Sequence, residues 1–247
     1  MALNEADTCR VHVTPKLQEA GWEQTPHSLT EQKQFTDGRV FTTGGVIRRG
    51  PQKRADYLLR YTRDFALAVV EAKPESDPVG TGMQQAKDYA EILGLKFAYA
   101  TNGHEILEFD YTTGLERPLS AFPAPGELWA RLRAAEGIAD HAANRLLTPS
   151  NTVGSTTPRY YQEIAINRAV QAILQGQPRV LLTMATGTGK TVVAFQIAWK
   201  LWSSGWNRTG EHRRPRILFL ADRNVLIDQT MVNDFRPFGG VMAKLSA

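Results

Sequence analysis

Apolar and polar positions along this chain follow two periods, and each change of period marks an element. From Glu5 to Ala20 the apolar residues Val11, Val13, Leu17 and Ala20 sit at mixed spacing, and the stretch closes on Gly21-Trp22. That pattern predicts a short opening helix with a glycine cap. Polar text without a predicted element follows to about Lys53. Then come two apolar runs, Ala55 to Tyr61 and Phe65 to Lys73, separated only by Thr62, Arg63 and Asp64. A gap of hairpin length predicts two adjacent antiparallel strands. Pro74, Pro78, Gly80 and Gly82 break the second run, and Met83 to Leu93 has helical spacing with Gly94 to stop it. Phe97 to Ala100 and Glu105 to Phe109 read as strands, and Glu127 to Glu136 as a helix. Residues 1–146 are therefore expected to form one small α/β domain.

A second pattern starts after a break. Residues 147–158 carry two prolines and almost no apolar residues, the composition of a linker. Beyond it, Tyr160 to Leu174 repeats apolar residues at helical intervals, Val180 to Met184 reads as a buried strand and Val192 to Trp202 as a helix. Arg216 to Ala221 reads as a second buried strand, and Asn224 to Phe235 as another helix. Strands alternating with helices predict a parallel-sheet nucleotide fold over residues 159–247. There is no internal repeat or heptad array.

Composition narrows the setting. The chain of 247 residues has 29 Lys and Arg against 25 Asp and Glu, an excess too small to identify a partner. Its single cysteine, Cys9, can make no internal disulfide and has no second thiol for a metal site; it reads as an inert small residue in a reducing, cytoplasmic compartment. The first ten residues contain no apolar signal core, and no apolar run approaches the roughly 18 residues of a membrane span, so no membrane partner is expected.

The most specific chemical signal is Met-Ala-Thr-Gly-Thr-Gly-Lys-Thr at Met184 to Thr191. Gly187 and Gly189 permit a tight turn whose N–H groups point inward round a phosphate chain, with Thr186 and Thr188 in the same loop, and the following helix presents its positive end. Lys190 supplies a charge for the outer phosphates, and the Thr191 hydroxyl suits the shell of a nucleotide-bound magnesium ion. The string departs from the strict pattern, since Met184 stands where the first glycine would be. It resembles motif I of superfamily 2 helicases and translocases. Arg159-Tyr160-Tyr161-Gln162 resembles their adenine-reading Q motif, and Leu218 to Arg223 resembles the strand end of motif Ia. No Asp-Glu-x-His string follows, so this chain by itself is expected to hydrolyse ATP hardly at all.

A second signal lies in the first domain. Residues two apart on a strand face one side, so Glu71 and Lys73 project together, roughly 6 to 7 Å apart, and Asp56 on the neighbouring strand reaches the same spot. Converging carboxylates repel unless a cation lies between them, and hard oxygen ligands suit magnesium. Lys73 is placed to orient water or neutralise charge beside a phosphodiester. The triplet is common by chance: Glu31-Gln32-Lys33 repeats it, but in a polar stretch without a predicted strand.

Lys53-Arg54-Ala55-Asp56-Tyr57, an apolar strand and then Val69-Val70-Glu71-Ala72-Lys73-Pro74 resemble the PD-(D/E)xK nuclease core of type I restriction enzyme R subunits. Ala55 replaces the motif's proline, which leaves the ligand chemistry intact. Gln85 and Tyr89 match the Q-x-x-x-Y helix motif of such nucleases, four apart on one face, where both can meet DNA. Asn4-Glu5-Ala6 followed by Pro15 to Trp22 resembles these subunits' opening helix, in which an acidic residue sometimes assists the metal. The resemblance spans nearly the whole chain. It implies a restriction-endonuclease-like domain followed by the beginning of a RecA-like motor lobe. It also implies Mg2+ and ATP as cofactors, double-stranded DNA as substrate, and methylation and specificity subunits as partners. Another nuclease–helicase fusion of type III kind, or a truncated, non-catalytic DNA-binding or assembly module, are the alternatives.

Other features remain open or are set aside. Arg48, Arg49, Lys53, Arg54, Arg60 and Arg63 crowd the approach to Asp56, and Arg208, Arg213, Arg214 and Arg216 precede motif Ia; either cluster is a DNA-backbone contact or a solvated face. Trp199, Trp202 and Trp206 are expected to pack in a core. His12, His27, His104, His141 and His212 show no ligand spacing and are given no role.

Overall fold

A computed structural model of the chain describes residues 2–36, 40–43, 46–49, 51–152, 157–209, 214–221 and 224–245. It comprises two compact units, Met1–Gly137 and Ile138–Ala247. None of its described helices is long and apolar enough to cross a membrane.

The first unit opens with the expected helix, α1 (Glu5–Thr8) and α2 (Thr14–Glu19), joined by a π-helical turn at Cys9–Val13. The wider turn explains the mixed apolar spacing, since it advances the helix face by one residue. Val13, Leu17 and Trp22 are fully buried, and Trp22 Nε1 donates to the Pro123 carbonyl at 3.0 Å.

Six strands form the main sheet: β1 (Ser28–Thr36), β4 (Gln52–Thr62), β5 (Phe65–Ala72), β6 (Phe97–Thr101), β7 (Ile106–Asp110) and β8 (Leu115–Leu119), hydrogen-bonded in that order. A separate antiparallel pair, β2 (Val40–Thr43) and β3 (Val46–Arg49), lies between β1 and β4 in the chain. The β4–β5 hairpin is antiparallel as the two apolar runs predict. β5 and β6 are parallel, so the chain crosses over between them through α3 (Met83–Leu93), which ends at Gly94 with φ +67°. β5 is buried along nearly its whole length, which is why it reads as an unbroken apolar run rather than an alternation.

Four strands escaped prediction, β1, β2, β3 and β8. β8 is exposed and polar, and β1 is polar except near Phe35; both are edge strands, whose outward residues carry no apolar period. Glu31-Gln32-Lys33 is therefore on a strand after all, paired to β4. α4 (Pro125–Glu136) is fastened through Arg131, which meets the fully buried Glu108 on β7 with two hydrogen bonds of 2.8 and 2.9 Å.

The second unit starts with α5 (Asp140–Leu146), which packs on α6 (Tyr160–Leu174) and α7 (Lys190–Ser203). The polar stretch expected as a linker is pinned at Asn151, whose backbone N–H and C=O both bond the buried Gln196 side chain of α7 at 2.9 and 2.7 Å. The segments Val180–Met184 and Arg216–Ala221, expected as buried strands, take part in no sheet among the described residues. A parallel strand acquires its hydrogen bonds and its cover only from neighbours in a sheet, and without them these apolar side chains lie open: Leu181 is 90% exposed and Leu220 79%. α8 (Asn224–Val232) and a 3₁₀ turn (Arg236–Val241) complete the unit. Trp199 and Trp202 pack on Phe195 and Phe238 in its core, as expected.

Candidate functional site

The β4–β5 ladder runs only to Tyr57 opposite Val70, and beyond it the carboxylates fill the gap. Asp56 Oδ2 accepts from the Ala72 N–H at 2.8 Å, while the Asp56 N–H donates to Glu71 Oε1 at 3.4 Å. Each acid thus replaces a ladder partner of the other strand, which places the two side by side at 5% and 1% exposure. Burial, and then the charge of Asp56, pushes the Glu71 carboxyl from its ordinary 4.5 up to about 8, against the pull of Lys73 and the Asp56 N–H.

Gln85, one turn into α3, ties the group together. Its Nε2 donates to Glu71 Oε2 at 2.7 Å and to the Tyr89 hydroxyl at 3.1 Å, and its Oε1 accepts from Lys73 Nζ at 3.1 Å. Lys73 Nζ also lies 3.7 Å from Glu5 Oε2, so the opening helix does reach the site. Gly82 makes room for the lysine: a Cβ there would meet Lys73 Cγ at 3.3 Å. Asp56, Glu71, Lys73, Gln85 and Glu5 therefore converge, the first three as strand spacing implies, and Gln85 and Glu5 as the family resemblance implies. Tyr89 differs from expectation. It is 9% exposed, packs edge-on to Phe35 at 5.0 Å, and supports Gln85 from behind instead of facing outward.

One contributor was missed. Gln32 Nε2 donates to Asp56 Oδ1 at 3.1 Å from a residue with φ +50°, the one left-handed non-glycine residue among those described. Strained backbone inside a strand is tolerated where surrounding contacts over-determine it, and here it aims an amide at a carboxylate. Nothing in the sequence signals this, because the strand that carries Gln32 has no apolar period.

The basic residues near Asp56 divide. Arg60 is buried, its guanidinium donating to the Arg63 carbonyl at 2.8 Å, and so serves the hairpin turn rather than DNA. Lys53 Nζ stands 5.5 Å over the Tyr89 ring, and Arg54 is exposed. The side chains of Arg48 and Arg49 lie outside the described residues, as do Arg213, Asp222 and Arg223.

In the second unit, the loop ahead of α7 turns through Gly187 at φ +76° and Gly189 at φ +81°. Lys190 Nζ curls back to the carbonyls of Ala185 and Met184 at 3.2 and 3.4 Å, and Thr188 Oγ1 donates to the Ala185 carbonyl at 2.6 Å. Thr186 lies in the loop and Thr191 in the first turn of α7. Gln162 is brought to this loop: its Nε2 donates to the Thr188 carbonyl at 2.8 Å and its Oε1 accepts from the Arg159 N–H at 2.8 Å. Both ends of the amide are thus engaged within the chain, where sequence expectation had them on adenine.

The family model described as type III restriction enzyme, res subunit, matches residues 155–246. The chain is 43% identical over 251 residues to the type I restriction enzyme EcoAI endonuclease subunit of Escherichia coli, covering 99% of this chain and 30% of that one. It is 32% identical over 282 residues to the EcoKI endonuclease subunit of Escherichia coli strain K12, covering 90% and 23%. A solved fragment assigned as the HsdR subunit of a type I restriction enzyme from Vibrio vulnificus YJ016 matches with a TM-score of 0.87 at 66% identity, covering 100% of this chain and 45% of that one. The chain thus spans less than a third of the curated relatives it matches. Alike from end to end to these proteins, it belongs to the family of type I restriction enzyme endonuclease (HsdR) subunits.

Proposed function

We propose that Asp56, Glu71 and Lys73 form a magnesium-dependent phosphodiester-cleaving centre, in a restriction-endonuclease-like domain followed by the beginning of a RecA-like ATP-driven motor lobe. The observation that carries this reading is the buried pair itself. Two carboxylates nearly sealed from water, one with its proton affinity raised to about 8, form an arrangement that favours a divalent cation. The donor set fits magnesium, being carboxylate oxygens. When bound, the ion stabilises charge on the scissile phosphate and lowers the pKa of an attacking water.

The chain's own residues do the rest. Asp56 and Glu71 present ligand oxygens; Gln32 and Gln85 each donate to one of them and hold its orientation. Lys73, held between Gln85 and Glu5, keeps an ammonium beside the place where charge develops on phosphate. In the second unit, Gly187 to Thr191 with Lys190 bind the ATP phosphates, Thr191 takes the nucleotide's magnesium, and Gln162 couples the loop to α6. Double-stranded DNA is the substrate, and methylation and specificity subunits are the partners that confer sequence selection. Relatives alike over the whole chain support a type I assembly; the type III description attaches only to the second unit.

In the full-length protein, Glu71→Ala is expected to lower magnesium-dependent DNA cleavage by at least about two orders of magnitude, the scale of losing one electrostatic stabiliser, with DNA-stimulated ATPase activity retained. Lys190→Ala is expected to lower ATP hydrolysis on a similar scale. Undiminished cutting by the Glu71 variant removes Glu71 from the reaction.

A further inference from the structure

The histidines have no ligand spacing along the chain, yet the fold brings two of them together. His12 comes from the π-helical turn, His104 from the turn between β6 and β7, and Glu75 from the segment after β5. One ligand atom from each lies within 4.8 Å of the others, the two imidazole centroids are 4.8 Å apart, and His104 Nε2 is 2.7 Å from Glu75 Oε1. It is the one group of three or more such side chains this close among the described residues.

The three positions are held from behind. Glu75 Oε2 accepts from the Leu3 N–H at 3.0 Å, which leaves Oε1 directed at the histidines. Asn102 Oδ1 accepts from the N–H groups of both His104 and Glu105, fixing the turn. Gly103, at φ +91°, brings that turn against the helix so closely that a Cβ would stand 2.9 Å from both His12 Cβ and Thr8 Cγ2. Outer contacts of this kind orient ligands in metal sites.

We propose that His12, Glu75 and His104 form a transition-metal site of zinc type, with three protein ligands and water completing a tetrahedron. Two imidazoles and one carboxylate suit zinc and its first-row neighbours, whereas magnesium selects all-oxygen sites. Bonds of about 2.0–2.1 Å put tetrahedral ligands roughly 3.4 Å apart, so closure from 4.8 Å asks at most about 1.4 Å of movement, which the exposed His104 and half-buried Glu75 side chains can share. The site braces the nuclease centre without belonging to it. Glu75 lies two residues past Lys73, and Leu3, which holds Glu75, lies two residues ahead of Glu5. The inference does not depend on the cleavage reading.

The test uses the 247-residue chain, stripped with a chelator and titrated with Co2+ by visible absorption and with Zn2+ by calorimetry. With excess Mg2+ present to occupy the carboxylate pair, one equivalent should bind with the spectrum of tetrahedral cobalt ligated by nitrogen and oxygen, and Zn2+ should displace it. His104→Ala and His12→Ala should each weaken binding at least tenfold, and His141→Ala, at an exposed position in the second unit, should leave it unchanged. His104 is exposed, so His104→Ala should melt like the parent without metal while losing the rise in Tm that Zn2+ produces in the parent. No binding by the parent, or equal binding by the parent and both histidine variants, overturns the site and leaves His104 and Glu75 a hydrogen-bonded pair.

Discussion

Glu71 is buried beside Asp56 with its carboxyl raised to about 8, and that pairing has a consequence for stability as well as chemistry. The folded state binds the Glu71 proton more tightly than the unfolded chain, so the stability it contributes is fully present below the ordinary 4.5 and is lost as pH rises through about 8. Glu71→Gln removes the titration while keeping the shape. Without magnesium, its Tm should match the parent near pH 5 and exceed it at pH 9 by more than the roughly 2–4 °C that about 1 kcal/mol makes in a chain this long, since a carboxyl raised from 4.5 to about 8 carries more than that. Thermal melts across that range check it; a constant offset at all pH values contradicts a buried, proton-holding Glu71. Magnesium affinity should climb over the same interval, since the ion displaces the proton. Of this centre, Asp56, Glu71 and Lys73 were legible because strand spacing puts them on one spot, and the family resemblance set them apart from chance triplets and added Gln85. Gln32 was not, since its part rests on one left-handed backbone angle, and neither was the seating of Tyr89, which depends on Phe35 from a strand the pattern did not reveal.

Among the elements, those with one buried face announced themselves. The β4–β5 hairpin, α3 with its Gly94 stop, α6 and α7 fall where apolar spacing predicts, while edge strands β1 and β8 escaped because their exposed residues have no such period. The join between α6 and the phosphate loop is a case where sequence showed the parts and structure their contact. An ideal Cβ on Gly189 would meet Gln162 Nε2, and φ +81° disfavours any side chain there. Gly189→Ala should therefore eject Gln162 from Thr188 and cost about 1–3 kcal/mol in the second unit. Adding Gln162→Ala relieves the collision but not the backbone strain, so the double variant should recover part of the loss. Equal stability of the single and double variants shows that the Gln162 contact carries none of the cost.

At the scale of the whole molecule, the two units differ in how well they cover their apolar residues. The first encloses β5 on both faces, whereas the second leaves Leu181, Leu218 and Leu220 open, beside a cleft of about 580 Å³ lined by Val180, Leu182, Ala198 and Phe235. The apolar runs at Val180–Met184 and Arg216–Ala221 were read as buried strands because run length and composition report what a segment is suited to, while burial depends on neighbours the pattern cannot supply. Extended contiguous apolar surface of this sort binds hydrophobic dyes and other chains. The 247-residue chain should therefore enhance ANS fluorescence, and replacing Leu181 and Leu220 together by Ser should reduce that enhancement substantially. The same pair should shift stability by no more than about 0.5 kcal/mol each, the usual range for exposed positions away from structural contacts. A large loss of stability instead would mean that these leucines are covered in solution, and that the two segments do form the strands their sequences are suited to.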